Sequence, residues 1–246
     1  MTKIRVREYE HGIVALDSGY ERVDLDAIHL IFEGQRVAIV DTGTNFSVPL
    51  VLAALAHYGR GPNDVDYVIL THIHLDHAGG AGELMRACPA ARLTVHPRGA
   101  RHMADPAKLW EGTVAVYGEQ TATKIYGRIA PIPAERIIET SDEHVIEWGT
   151  RSLRFFDTPG HAKHHVMMHD SRSGHLFVGD TFGISYTELD QDGRSFVIPT
   201  TSPTHFEPEP YHRSIDLVLR LAPPAVYMTH YAQRRDIAHI GERMHA

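Results

Sequence analysis

The order of elements along the 246-residue chain predicts an α/β sandwich. Three observations carry that expectation. Short apolar, β-branched segments alternate with helical spacing in two successive halves, each with its strands first and its helices after them. The segment Tyr67-Val68-Ile69-Leu70 is almost wholly apolar, as a buried strand is, and runs straight into a cluster of histidines. No low-complexity tract or linker interrupts the chain, so the expectation is one domain over residues 1–246.

In the first half, Ile13-Val14-Ala15-Leu16 reads as a strand. Ala27–Phe32 and Arg36–Val40, joined by a Glu33-Gly34 turn, read as a hairpin. Apolar spacing predicts a helix over 47–58, stopped by Gly59 and Gly61-Pro62. A helix over 81–87, a strand at 92–95 and a helix after Pro97 follow. Residues 105–133 have weaker periodicity and read as a partly helical insertion over one edge. Strands resume at 136–138, 145–146 and 153–156, and a hairpin at 165–169 and 175–178. The Pro- and Thr-rich stretch 183–210 reads as too polar for the core. A helix over 211–221 then precedes Ala225–His230.

With 24 Lys+Arg against 31 Asp+Glu, the net charge is −7, which weighs against a phosphate-binding surface and so against nucleic acid as a partner. No run of about 18 apolar residues is present to span a membrane, and the start of the chain lacks the apolar stretch of a signal peptide. A single cysteine, Cys88, fits a reducing compartment, so the expected location is cytoplasmic. The unusual count is 19 histidines. Histidine is the commonest metal ligand, yet most of these, His96 and His175 among them, read as ordinary residues, chiefly on the surface.

The exceptions begin at His72-Ile73-His74-Leu75-Asp76-His77. In an extended loop, residues two apart face one way, so His72 and His74 converge on one ion while Asp76 and His77 reach a second. Gly79-Gly80 lets the chain turn into a helix. A catalytic zinc takes three protein ligands and keeps a place for water, so each ion needs a further ligand. His161, Asp180 and His230 each follow an apolar, strand-like segment. The expected first set is His72, His74 and His161, and the second is Asp76, His77 and His230. Asp180, with two carboxylate oxygens, would bridge the ions.

Thr71–Gly80, Thr158-Pro159-Gly160-His161, Gly179-Asp180, Thr229-His230 and the early Asp41-Thr42-Gly43 resemble, in chain order, the motifs of the metallo-β-lactamase-fold hydrolases. The segment Val197–Pro203 is similar to stand-alone bacterial and archaeal members. The resemblance implies a four-layer αββα sandwich and two divalent ions, zinc first, with iron or manganese as alternatives. It also implies that Asp41 orients a ligand histidine. In thioesterases of the glyoxalase II type the motif at His161 often continues with a further glycine and histidine; here His164 replaces the glycine and His165 keeps the histidine. His74 stands where flavodiiron-type relatives carry glutamate, which favours hydrolysis over redox chemistry.

The reaction read from this set is water attack on a small ester, lactone, thioester or amide. Two cations roughly 3.5–4 Å apart bring a bridging water's pKa toward 7, giving hydroxide, and Asp76 is the catalytic proton acceptor. The alternatives are a mononuclear iron persulfide dioxygenase using His72, His161 and Asp180, and a phosphodiesterase or nuclease of the same fold. The expected partner is a small-molecule substrate, with a homodimer as an open option. Tyr186, Tyr231, His205 and Phe206 are secondary candidates to line the pocket. Arg98 and Lys163 read as solvated charges and Cys88 as a small buried hydrophobe.

Overall fold

The computed structural model describes residues 3–201 and 205–245, and the chain folds as two compact units, 1–139 and 140–246. In the first, seven strands lie side by side in chain order: β1 (Val6–Tyr9), β2 (Ile13–Asp17), β3 (Ala27–Glu33), β4 (Arg36–Val40), β5 (Val65–Ile69), β6 (Arg92–Val95) and β7 (Ile137–Glu139). β1 to β4 pair antiparallel, and β4 to β7 parallel. The change of sense has a simple cause. Short connections join the first four strands, whereas helical crossovers separate the last four. Those crossovers hold α1 (Val48–His57), α2 (Leu75–Ala78), α3 (Ala81–Ala87), α4 (Pro97–Ala104), α5 (Ala107–Tyr117) and α6 (Glu119–Tyr126). Val51, Ala54, Leu55, Leu84 and Met85 pack with Leu30, Ile39, Val68 and Leu93 in one continuous core.

In the second unit the strand order is β15-β14-β11-β10-β9-β8, formed by β8 (Val145–Trp148), β9 (Arg151–Asp157), β10 (Val166–Asp170), β11 (Leu176–Gly179), β14 (Val226–Met228) and β15 (Ala232–Arg234). A small ribbon, β12 (Ile184–Ser185) with β13 (Val197–Ile198), lies apart from it, and α7 (Pro208–Leu221) and α8 (Ile237–His245) complete the unit. Phe156, Met167, Val178, Ile215, Val218, Ile240 and Met244 share its core. Gly241 interrupts the otherwise apolar face of α8 because a Cβ there would lie 2.5 Å from Leu219. Arg151 and Asp170, both buried, form an ion pair at 2.8 Å, and the Ser173 amide and hydroxyl donate to the same carboxylate. A buried charge paired and hydrogen-bonded in this way avoids the penalty of an isolated one.

Two expectations need correction. The stretch 183–210 is not wholly outside the core, since Val197 packs in the second cluster and Thr200 is buried. Its Ser202 and Pro203 lie outside the described residues. Nor do all the remaining histidines lie at the surface: His29, His96, His165 and His175 are buried, although the others are at least partly exposed. His29, on β3, is held neutral: burial pushes its imidazole down to about 4, against a smaller upward pull from Asp41.

A base whose pKa falls on folding binds more protons unfolded than folded. Its contribution to stability is therefore intact above pH 6.5 and lost as the pH falls toward 4. Urea unfolding at pH 7 and pH 4.5 should show this effect as about 2–3 kcal/mol of acid destabilisation. His29→Gln, compared in the same metal state, should lose that part of the slope; an unchanged slope would contradict it.

Candidate metal centre

β5 is paired in parallel on both sides, and the chain leaves its C-terminal end through buried Leu70 and Thr71 to reach His72. His74 is in extended backbone, and the facing nitrogens of the two imidazoles, His72 Nε2 and His74 Nδ1, are 2.9 Å apart. Asp76 and His77 are not in an extended loop as expected. They occupy the single turn of α2, for which His74 is the N-cap. The helical turn still brings His77 against His72, with ring centroids 4.0 Å apart, and leaves Asp76 Oδ2 3.8 Å from His77 Nε2.

This geometry depends on a close backbone approach. The Thr42 amide donates to the His77 carbonyl at 2.7 Å, and the Gly80 amide to the Gly43 carbonyl at 3.0 Å. A Cβ on Gly80 would lie 2.7 Å from the Thr44 carbonyl oxygen, and one on Gly79 2.4 Å from that of Leu75. Both positions therefore require glycine.

Asp41, at the end of β4, takes a left-handed conformation (φ +58°) and is buried. Its carboxylate accepts from the Thr71 amide and hydroxyl at 2.9 Å and from His77 Nδ1 at 2.9 Å. The proton of His77 is thereby fixed on Nδ1, and Nε2 is the nitrogen presented to a ligand. Asp41 thus contacts a histidine of the kind that the resemblance implied it would orient. Asp41→Asn should weaken metal binding about 10–100-fold with the fold unchanged, as measured by chelator competition and circular dichroism; unchanged affinity would contradict this role.

Three strand ends of the second unit carry its donors. His161 follows β9 through Gly160, which has φ +130° and whose Cβ would sit 2.3 Å from Tyr211 backbone. Asp180 follows β11 and His230 follows β14. All three are buried. Asp180 lies between the histidines, with Oδ2 3.3 Å from His161 Nε2 and Oδ1 3.5 Å from His230 Nε2. His161 Nδ1 donates to the Thr200 carbonyl at 3.0 Å, which leaves Nε2 as its ligand nitrogen.

These spacings fit a metal. Ligand atoms about 2.0–2.1 Å from a tetrahedral ion lie roughly 3.4 Å from one another. The two Asp180 contacts match that separation and exceed an ordinary charge-assisted hydrogen bond of about 2.7–2.9 Å.

His165 is a residue whose role the sequence does not reveal. It is buried; its Nδ1 lies 2.8 Å from the Thr158 hydroxyl, and its Nε2 accepts from the Asp180 amide at 3.2 Å. The Thr200 hydroxyl donates to the Asp180 carbonyl at 2.5 Å. These bonds fix the backbone that aims the carboxylate. The available signal is the recurrence of histidine in His161-Ala162-Lys163-His164-His165, which locally reads only as part of a motif. Of the secondary candidates, Tyr231 is buried and Tyr186 half-buried, with its ring 6.2 Å from Phe196. His205 and Arg98 are exposed, Phe206 packs against the second core, and Lys163 pairs with Glu207 at 3.3 Å. Cys88 is buried, and burial pushes its thiol up to about 11.

The model of the metallo-beta-lactamase superfamily matches residues 27–230, a span that includes both donor sets. The chain belongs to that superfamily. Its α/β sandwich fold is also that of the crystal structure of ST1585, an archaeal member from Sulfolobus tokodaii, at TM-score 0.78 and 23% identity over 96% of this chain and 85% of that one. In sequence, the metallo-beta-lactamase fold-containing protein ST1585 of Sulfurisphaera tokodaii is 29% identical over 172 residues, 68% of this chain and 60% of that protein. The acyl-coenzyme A thioesterase MBLAC2 of Gallus gallus is 26% identical over 65% of this chain and 59% of its own length. A hydroxyacylglutathione hydrolase of Maricaulis maris is 34% identical over 45% of this chain and 31% of its own length. The chain thus spans at most 60% of these curated relatives. Superfamily members are mostly metal-dependent hydrolases, and His and Asp side chains of this chain form groups that could hold a metal ion. No helix among the described residues is long and apolar enough to cross a membrane.

Proposed function

We propose that the two units act as one metallo-hydrolase domain that cleaves a small thioester or related ester, lactone or amide. His72, His74 and His161 would hold one divalent ion, and Asp76, His77 and His230 a second, with Asp180 between them. Zinc is the first choice for a set of imidazoles and carboxylates, with iron or manganese as alternatives. The observation that carries the reading is Asp180, whose two oxygens address the Nε2 atoms of two different histidines at 3.3 and 3.5 Å. One carboxylate serving two imidazoles at ligand spacing is what a shared ligand of two ions requires.

When bound, such ions supply Lewis acidity that generates a nucleophilic oxygen from water near pH 7 and polarises a carbonyl. The chain's own groups do the rest. Asp76 accepts the proton released by the attacking water. Asp41 and the Thr200 carbonyl hold His77 and His161 in the tautomer that presents Nε2. His165 and Thr200 fix the Asp180 backbone. The thioester class draws support from two relatives named as a thioesterase and a hydroxyacylglutathione hydrolase, and the net charge of −7 argues against a polyanionic substrate.

The test is turnover by the protein, with its own metal, on a panel of thioesters, lactones, a β-lactam and a bis-aryl phosphate. Thioester or lactone cleavage should dominate and vanish on treatment with a chelator. Phosphodiester turnover faster by orders of magnitude, or oxygen uptake on a persulfide without ester cleavage, would overturn the reading.

A further inference from the structure

Three tyrosines of the first unit meet beside Asp76. Tyr20 belongs to the loop after β2, Tyr117 ends α5 and Tyr126 ends α6. The rings of Tyr20 and Tyr126 stack with centroids 6.2 Å apart at 20°, and Tyr117 meets Tyr126 edge-on at 5.9 Å and 68°. The hydroxyls of Tyr20 and Tyr126 are 3.4 Å apart. The backbone holds this cluster at the α2 end of the sheet. A Cβ on Gly43 would be 3.2 Å from Ser18 Cβ, and the Gly43 carbonyl receives the Gly80 amide. On the other side, Gly127 (φ +73°) approaches Asn45, whose amide donates to the Arg128 carbonyl. Burial and then the Asp76 carboxylate push the Tyr20 phenol up to about 12, and Tyr126 is raised by burial first, with Asp76 adding to it. Both phenols are therefore protonated and lie within the field of Asp76.

We propose that Tyr20, Tyr117 and Tyr126 form an aromatic subsite beside Asp76 that receives the acyl part of the substrate and selects an uncharged aryl group. The proposal rests on the hydrolase reading above, which it deepens by naming the acyl class. Three features argue for it. The hydroxyls of Tyr20 and Tyr126 turn toward one another at 3.4 Å, which leaves ring surface for a ligand. Tyr126 is 6% exposed but Tyr117 is 48% exposed, which leaves an open ring next to a buried one, with exposed Phe46 on the adjoining loop. Aromatic rings favour edge-to-face and offset partners over saturated ones of the same size. The phenols of Tyr20 and Tyr126 stay protonated, so the cluster adds no charge of its own and suits an uncharged acyl group.

The experiment compares N-acetylcysteamine thioesters of phenylacetate and cyclohexylacetate, which match in size and differ in aromaticity. Alongside it, binding of phenylacetamide and cyclohexylacetamide is measured calorimetrically, which needs no turnover. The phenyl compound should lead by about 3–10-fold in kcat/KM and in affinity. Tyr117→Ala should bring both ratios near one, through KM rather than kcat. Tyr126→Phe, which keeps the ring, should preserve the preference, as should the exposed control Val116→Ala. Thioester cleavage with no phenyl preference, or a preference that survives Tyr117→Ala, would overturn the subsite and leave the hydrolase reading standing. Preferential phenylacetamide binding lost in Tyr117→Ala, with no ester turned over, would support the subsite and remove the hydrolase reading instead.

Discussion

Asp180→Ala should release metal from both positions and lower kcat/KM by at least about 10³-fold, roughly 4 kcal/mol of transition-state stabilisation. The reason is geometric. Asp180 is placed within ligand spacing of both His161 and His230, so in the proposed two-ion site its loss would remove a donor from each ion at once. His230→Ala takes a donor from the second set only, and one ion should remain. Elemental analysis and turnover of the two variants, each with a native circular dichroism spectrum, separate the roles. Equal metal loss in both would contradict the shared position of Asp180.

Asp76→Asn should be the next most damaging change, lowering kcat by about 10²–10⁴-fold, the range associated with loss of a proton acceptor. Asparagine keeps the size of the side chain and an oxygen for the ion but cannot take the proton. The loss should therefore appear in kcat more than in KM, with at least one ion retained per chain. Asp76 lies on α2, a single turn held by the His77 and Ala78 amides donating to the His74 carbonyl, and those bonds do not involve its side chain. The backbone should accordingly be unaffected. A variant with wild-type kcat would assign proton transfer elsewhere.

Much of the fold is legible in the sequence because strands announce themselves by unbroken apolar runs. The β3–β4 hairpin, β5, β6 and the β10–β11 hairpin fall within a residue or two of where their runs predict. The positions of His72, His161, Asp180 and His230 just past such runs are equally plain. Elements lacking that signal escape. β1 and β15 hold three or four mixed residues, and α8 carries Gly241 in the middle of its apolar face. The turn of α2 reads as extended because four residues are too few to show a period of 3.6. The burial of Thr200 is hidden for a different reason. Its segment looks polar, yet its carbonyl and hydroxyl are used on His161 and Asp180, a tertiary demand that leaves no local pattern. The same holds for His165, which resembles any other histidine until its partners are known.

Metal stoichiometry tests the central claim most directly. Protein prepared without chelator should contain close to two transition-metal ions per chain, with zinc predominant, and lose both ions and its turnover together on dialysis against chelator. A preparation that is folded and holds no metal, or that holds a single iron and consumes oxygen, would contradict the dinuclear hydrolase.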